Sequence, residues 1–157
     1  MNFPPLQVRS LAGQQFQLPQ DLPAARTAVI VAFYQRHQAD VDAWITPLAQ
    51  VGVAATPRGL PQDVEQAVVE IPMLKRRWAP ARGFIDGGMA SGIGDPDINA
   101  RTWTVYTDVD HFLGSIGVAG DSSIVVLVVE RDGTITEMQR GRPDPDKLAR
   151  VTAALGV

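Results

Sequence analysis

The apolar and polar positions along this 157-residue chain alternate between strand-like and helix-like periods. Thr27-Ala28-Val29-Ile30-Val31-Ala32-Phe33-Tyr34 is nearly unbroken in apolar character, long enough for a strand and too short for a typical helix. Apolar side chains on both faces predict a central strand covered by helices on each side. From Val41 the period changes. Val41, Trp44, Ile45, Leu48 and Val51 fall at i, i+3, i+4, i+7 and i+10, the apolar stripe of a helix. Asp40 is placed to cap that helix, Gly52 to end it, and Pro47 to kink it.

Weaker signals fill the rest. Phe16 to Leu22 predicts a short edge strand limited by Pro19, and Ala67 to Ile71 a second buried strand ended by Pro72. Met73 to Met89 is expected to be helical in pieces, broken at Pro80 and Gly83. The glycine-rich stretch Gly87 to Gly94 is expected to loop toward a third strand over Thr102 to Tyr106, with a short helix over Asp108 to Ile116. The clearest local signal is the β-branched run Ser123 to Glu130, the turn Arg131-Asp132-Gly133 and the alternating return strand Thr134 to Gln139, which together predict a hairpin. Asp144-Pro145 opens a last helix with Leu148, Val151 and Leu155 on one face, closed by Gly156. The expected fold class is α/β: a mixed central sheet, helices on both faces and an N-terminal strand extension. One domain is expected over 1–157, with residues 1–24 as the extension and 25–157 as the core.

Composition narrows the function. Charged residues make up 20% and apolar residues 45%, the balance of a globular protein. A net charge of −3 argues against a nucleic-acid partner. No apolar run reaches the length of a membrane span. The opening Met1 to Arg9 lacks the pattern of a secretory signal, and the chain has no cysteine, so a cytoplasmic location is expected. No cofactor is implied. Nothing in the chain fixes its oligomeric state, and a homodimer is among the arrangements it allows.

Taken together, Val29 to Trp44, Thr104 to Asp108 followed by Phe112 to Val118, and Ile124 to Gly141 resemble the peroxiredoxin-like branch of the thioredoxin superfamily. The early Leu18-Pro19-Gln20-Asp21-Leu22, the central Trp44 and the late hairpin are also similar to the assembly-factor family of the mitochondrial ATP synthase. The proline of the first helix fits the same likeness. The resemblance implies a thioredoxin-like three-layer sandwich, and it implies where a thiol site would lie. The Cys-x-x-Cys position falls on Gln38-Ala39-Asp40-Val41, and the loop that carries a cis-proline in thioredoxins reads Gly120-Asp121-Ser122-Ser123. The proline, threonine and cysteine of peroxiredoxins are likewise missing. Thiol exchange needs a thiolate. Disulfide and peroxide chemistry are therefore excluded.

What the likeness leaves is a redox-inactive protein that binds a protein or peptide partner non-covalently, in an assembly role. The expected cleft is formed by Gln35, Arg36, His37, Gln38 and Asp40 meeting Asp121, Ser122 and Ser123. His37, ahead of a helix, is placed either as a general acid or base or as an exposed helix-start residue. Lys75, Arg76, Arg77, Arg82 and Arg101 form a candidate basic patch around Trp78, with the alternative of a solvated helix face and Trp78 tucked inward. Trp44 and Trp103 read as core.

The acidic clusters suggest other chemistry. Asp108 and Asp110, two apart at a strand's exit with His111 beside them, resemble the nucleophile and acid/base pair of haloacid-dehalogenase-like enzymes, and such a set also suits a divalent metal. Phe112 stands where that pattern wants Thr or Val, and the plainer reading is a helix cap. A phosphoryl-transfer or hydrolytic enzyme on this cluster is one alternative function, and a homo-oligomeric structural module another. Asp95-Pro96-Asp97-Ile98-Asn99 begins like a calcium loop, but Ala100 and Tyr106 occupy its glycine and bidentate positions.

Overall fold

The computed structural model describes residues 1–53 and 64–157. In chain order its elements are β1 (Leu6–Ser10), β2 (Gln15–Leu18), β3 (Ala24–Ala32), α1 (Gln38–Gln50), β4 (Val64–Lys75), α2 (Arg82–Ile93), α3 (Pro96–Arg101), β5 (Trp103–Thr107), α4 (Val109–Ser115), β6 (Val125–Glu130), β7 (Ile135–Arg140) and α5 (Pro145–Leu155). The strands form one sheet in the order β2-β1-β5-β4-β3-β6-β7. β3, β4 and β5 run parallel to one another, and the remaining neighbours are antiparallel.

β3 lies between β4 and β6, and Ala28 to Val31 are fully buried, as a both-faces-apolar run requires. Val29 and Val31 point into one core with Phe112, Leu113 and Ile116 of the α4 region and with the β1–β2 hairpin. Ala28 and Ile30 point into a second core with Trp44, Leu48, Val151 and Leu155 from α1 and α5. This mixed sheet with helices on both faces is the thioredoxin-like three-layer sandwich. Each large core side chain contributes about 1.5–3 kcal/mol on burial, so the sheet is stapled from both sides without a disulfide.

Three elements differ from the sequence reading. α1 begins at Gln38 after a 3-10 turn over Gln35–His37, so Asp40 lies in its first turn instead of capping it. β4 continues through Pro72 to Lys75, because Pro72 stands opposite Ala32, the last residue of β3, where the interior ladder ends. The stretch Gly87 to Gly94 is no loop: its first seven residues are helical, and Gly94 ends α2 in the left-handed conformation.

The helical state of that stretch follows from its anchors. Asp86 of α2 accepts hydrogen bonds from Thr104 Oγ1 at 2.8 Å and Tyr106 Oη at 2.7 Å, and pairs with Arg82 at 3.4 Å. Burial and the Asp86 bond push the Tyr106 pKa well above its ordinary value. Gly83, Gly87, Gly88 and Gly92 face open space, where a Cβ would meet nothing. Gly88→Ala is therefore expected to raise stability by about 0.5–1 kcal/mol, since glycine's only effect there is the entropy it adds to the unfolded chain. Equilibrium urea unfolding measures this, and a loss of stability would show that α2 is held differently.

Candidate functional site

The site lies at the carboxyl ends of β3 and β4, where parallel strands leave a crevice against the following helices. A cleft of about 180 Å3 opens there, with Phe33, Tyr34, Met73, Leu74, Trp78 and Asp121 in its wall. Trp78 is 48% exposed on the 3-10 segment Arg76–Ala81, which buries none of its side chains. It is not tucked inward, because the chain leaves β4 at Lys75 and carries the ring to the cleft wall.

The two halves of the expected cleft do meet. Tyr34 Oη donates to Asp121 Oδ2 at 2.6 Å, closing the gap between the exit of β3 and the loop before β6. That hydrogen bond is the main influence raising the Tyr34 pKa above its ordinary value. His37 makes the second tie. Its Nδ1 accepts from the Phe33 backbone N–H at 3.1 Å, and its Nε2 lies 3.2 Å from the Ser122 carbonyl, so Nε2 carries the proton and donates. The ring is buried, and both nitrogens are occupied. His37 is thus neither an exposed helix-start residue nor free for proton transfer; it pins loop to strand.

Around this tie the side chains differ in role. Arg36 places its guanidinium 4.3 Å from the Tyr34 ring centre, and Arg77 places its own 5.5 Å from that of Trp78. Both cations cover aromatic faces at the cleft, and Gln35 and Ser122 are exposed beside it. Gln38 turns away to Asp42 and Glu70, and Asp40 pairs with Arg142 at 3.0 Å. Ser123 offers its carbonyl to Arg140 at 3.0 Å.

The five expected basic residues do not share one surface role. Lys75, Arg76 and Arg77 are exposed, whereas Arg82 is bound to Asp86 and to the Thr104 carbonyl at 2.9 Å. Arg101 Nε pairs with Glu70 Oε2 at 3.1 Å, beneath the sheet's α1 side. Asp108 Oδ1 accepts from the His111 backbone N–H at 3.1 Å as the cap of α4, and Asp110 and His111 are exposed. Among the described residues, no group of three His, Cys, Asp or Glu is placed to hold a metal ion.

Two residues that shape the site carry no motif. Glu70 interrupts the buried apolar run Ala67 to Ile71 of β4, and a carboxylate in a run buried on both faces was the available signal that a cation must sit opposite. Arg140, near the end of the hairpin, directs its guanidinium at four carbonyls, those of Ala119 at 3.5 Å, Gly120 at 3.2 Å, Ser123 at 3.0 Å and Ile124 at 3.3 Å. It gathers the loop that presents Asp121 and Ser122. No sequence pattern announces such an arrangement.

No known family model matches the chain, and no curated protein sequence does. Solved structures with the same fold do. BsSco, a member of the Sco family of cytochrome c oxidase assembly proteins, matches with a TM-score of 0.63 at 12% identity, over 99% of this chain and 94% of its own. Arabidopsis thaliana ScoI, solved with copper bound, matches with a TM-score of 0.57 at 12% identity, over 99% of each. The exposed lipoprotein thioredoxin Etrx1 of Streptococcus pneumoniae strain TIGR4 matches with a TM-score of 0.58 at 9% identity, over 96% of this chain and 98% of its own. These likenesses establish the thioredoxin-like fold. The last of them overturns the cytoplasmic expectation drawn from the opening residues and the lack of cysteine: the same architecture serves an exposed lipoprotein.

Proposed function

We propose that this cysteine-free thioredoxin-like protein works by holding a polypeptide non-covalently in the cleft between Tyr34, Trp78 and Asp121, in an assembly role. The observation that carries this reading is the half-exposed Trp78 facing Tyr34 across an open crevice at the strand ends. Aromatic side chains left solvated at a concave site supply contact area at low entropic cost, and guanidinium groups laid on them add polar contacts at the rim. Without cysteine, whatever enters undergoes no thiol–disulfide exchange with this chain. One structure of the same fold, BsSco, belongs to a family of cytochrome c oxidase assembly proteins, which suits a protein whose task is to hold another chain.

The three tryptophans allow a direct test. Trp44 and Trp103 are buried, so collisional quenching by acrylamide reports on Trp78. Peptides selected from a random display library are expected to protect that fluorescence, and Trp78→Ala is expected to weaken their binding by about 30-fold or more, the effect of losing one aromatic hot spot. Selected peptides that leave Trp78 fully quenchable, or a library that yields none, would overturn the reading.

A further inference from the structure

A second opening lies outside this cleft, in the middle of the sheet. β1 and β5 pair at Arg9↔Thr104 and Ser10↔Trp103, and there the register ends. Both strands run on past that point, β1 back to Leu6 and β5 forward to Thr107. Their outer sides are occupied, since Leu6 to Arg9 pair with β2 and Val105 to Thr107 pair with β4. The sheet is therefore forked, and the two inner edges enclose an open groove of about 360 Å3.

The hydrogen-bonding groups that face this groove follow from the alternation of an antiparallel ladder. The Leu11 N–H donates to the Thr102 carbonyl at 3.0 Å, which makes 11 with 102 a bonded pair and, two steps on, 9 with 104. The next bonded pair in this register would be Gln7 with Tyr106, and the strands have parted before reaching it. The main-chain donors and acceptors of Gln7 and Tyr106 thus point into the fork. Exposed edges of this kind are templates for an added strand.

The lining also selects by charge. Arg9 and Arg82 both border the groove, and none of the residues lining it is acidic. Arg9 makes no ion pair among the described residues, and Arg82 is held against the groove by its bond to the Thr104 carbonyl at 2.9 Å and by its stacking 4.9 Å from the Tyr106 ring centre. The Arg82 Nε also pairs with Asp86 at 3.4 Å, and a guanidinium so fixed holds its remaining N–H donors preorganised for a second carboxylate.

We propose that the fork between β1 and β5 takes up a short, extended, acidic segment of a partner polypeptide, which bonds its main chain to Gln7 and Tyr106 and sets its carboxylates against Arg9 and Arg82. This surface is separate from the Trp78 cleft and stands or falls independently of it. The test uses the full chain with an end-capped hexapeptide of alternating glutamate and valine, set against the same peptide with lysine in place of glutamate. Amide hydrogen exchange and chemical shifts are read at Gln7 and Tyr106, and at Phe33 and Tyr34 for the cleft.

The acidic peptide is expected to slow exchange at Tyr106 and shift both fork amides while Phe33 and Tyr34 stay unmoved, and to bind at least about tenfold tighter than the basic one. Arg9→Glu is expected to reverse that preference, a gain of binding that a misfolded variant cannot produce. Equal binding of the two peptides, shifts confined to the cleft amides, or a Tyr106 amide already fully protected in the free protein would each overturn the proposal.

Discussion

Replacing Arg101 with alanine is expected to lower the stability of the protein by about 3–5 kcal/mol at neutral pH, and by less as the pH falls. Glu70 sits within β4 at 3% exposure, and the Arg101 guanidinium is the cation against it. Burial is the strongest influence on this carboxyl and pushes its pKa up, while Arg101 and Gln38 pull it back. The folded pKa therefore lies above the unfolded one, so the folded protein keeps a proton that the unfolded chain has already released. The stability contributed by this group is full below the ordinary carboxylate value and falls as pH rises through the folded value.

Removing the guanidinium removes one of the influences holding that pKa down, so the window extends upward and the loss at neutral pH grows. Glu70→Gln keeps the shape and removes the charge. It is expected to lose less than Arg101→Ala and to flatten the pH dependence. Urea denaturation of the three proteins from about pH 4 to about pH 8 checks both statements. A loss in Arg101→Ala that is the same at both ends of that range would show that no buried carboxylate charge is at stake.

His37→Ala is expected to cost about 2–3 kcal/mol and to free the loop from Gly120 to Ser123, because it strands the Phe33 N–H and the Ser122 carbonyl together. The two changes separate by where they act. Amide exchange should quicken at Phe33 and through the loop in His37→Ala, with the far strands β1 and β2 unaffected at matched global stability. Asparagine or glutamine at this position restores one of the two bonds and is expected to recover part of the loss. If His37→Ala unfolds at the same denaturant concentration as the parent protein, the imidazole does not hold loop to strand.

Much of the fold was legible because it is written in local periods. The unbroken Val29 to Val31 run can satisfy its side chains only with cover on both faces, and the Asp132-Gly133 turn leaves few alternatives to a hairpin. Asp144 and Gly156 mark both ends of α5 by the chemistry of their positions: the first accepts from the Lys147 N–H at 2.8 Å, and the second adopts a positive φ. α2 was hidden for the opposite reason. Its glycines argue for a loop on local grounds, and the helix is held by tertiary bonds from Asp86 to residues about twenty positions away. The place of β1 beside β5 is likewise a long-range pairing with no local trace.

The candidate site shows the same division. Its location at the strand ends followed from the resemblance, and Asp121 and Ser122 do come against Tyr34 and His37. The roles within it did not follow. A histidine with two ring nitrogens reads from sequence as reactive or idle, and only its neighbours decide that it is a fastener. Arg82 and Arg101 read as surface charge, because Asp86 shares a face with Arg82 only once α2 is helical, and Glu70 lies 31 positions from Arg101 within a strand.

Arg140 belongs to β7, the strand that closes the sheet on the side away from the β1–β2 hairpin. Since one guanidinium gathers the carbonyls of Ala119, Gly120, Ser123 and Ile124, the rim opposite Tyr34 takes its shape from the outermost strand. Fraying at that margin, or a partner that grips it, would be transmitted to the aperture through a single planar cation. The molecule thus has a mechanical handle on its border, on an element that does not itself line the place where a guest would enter.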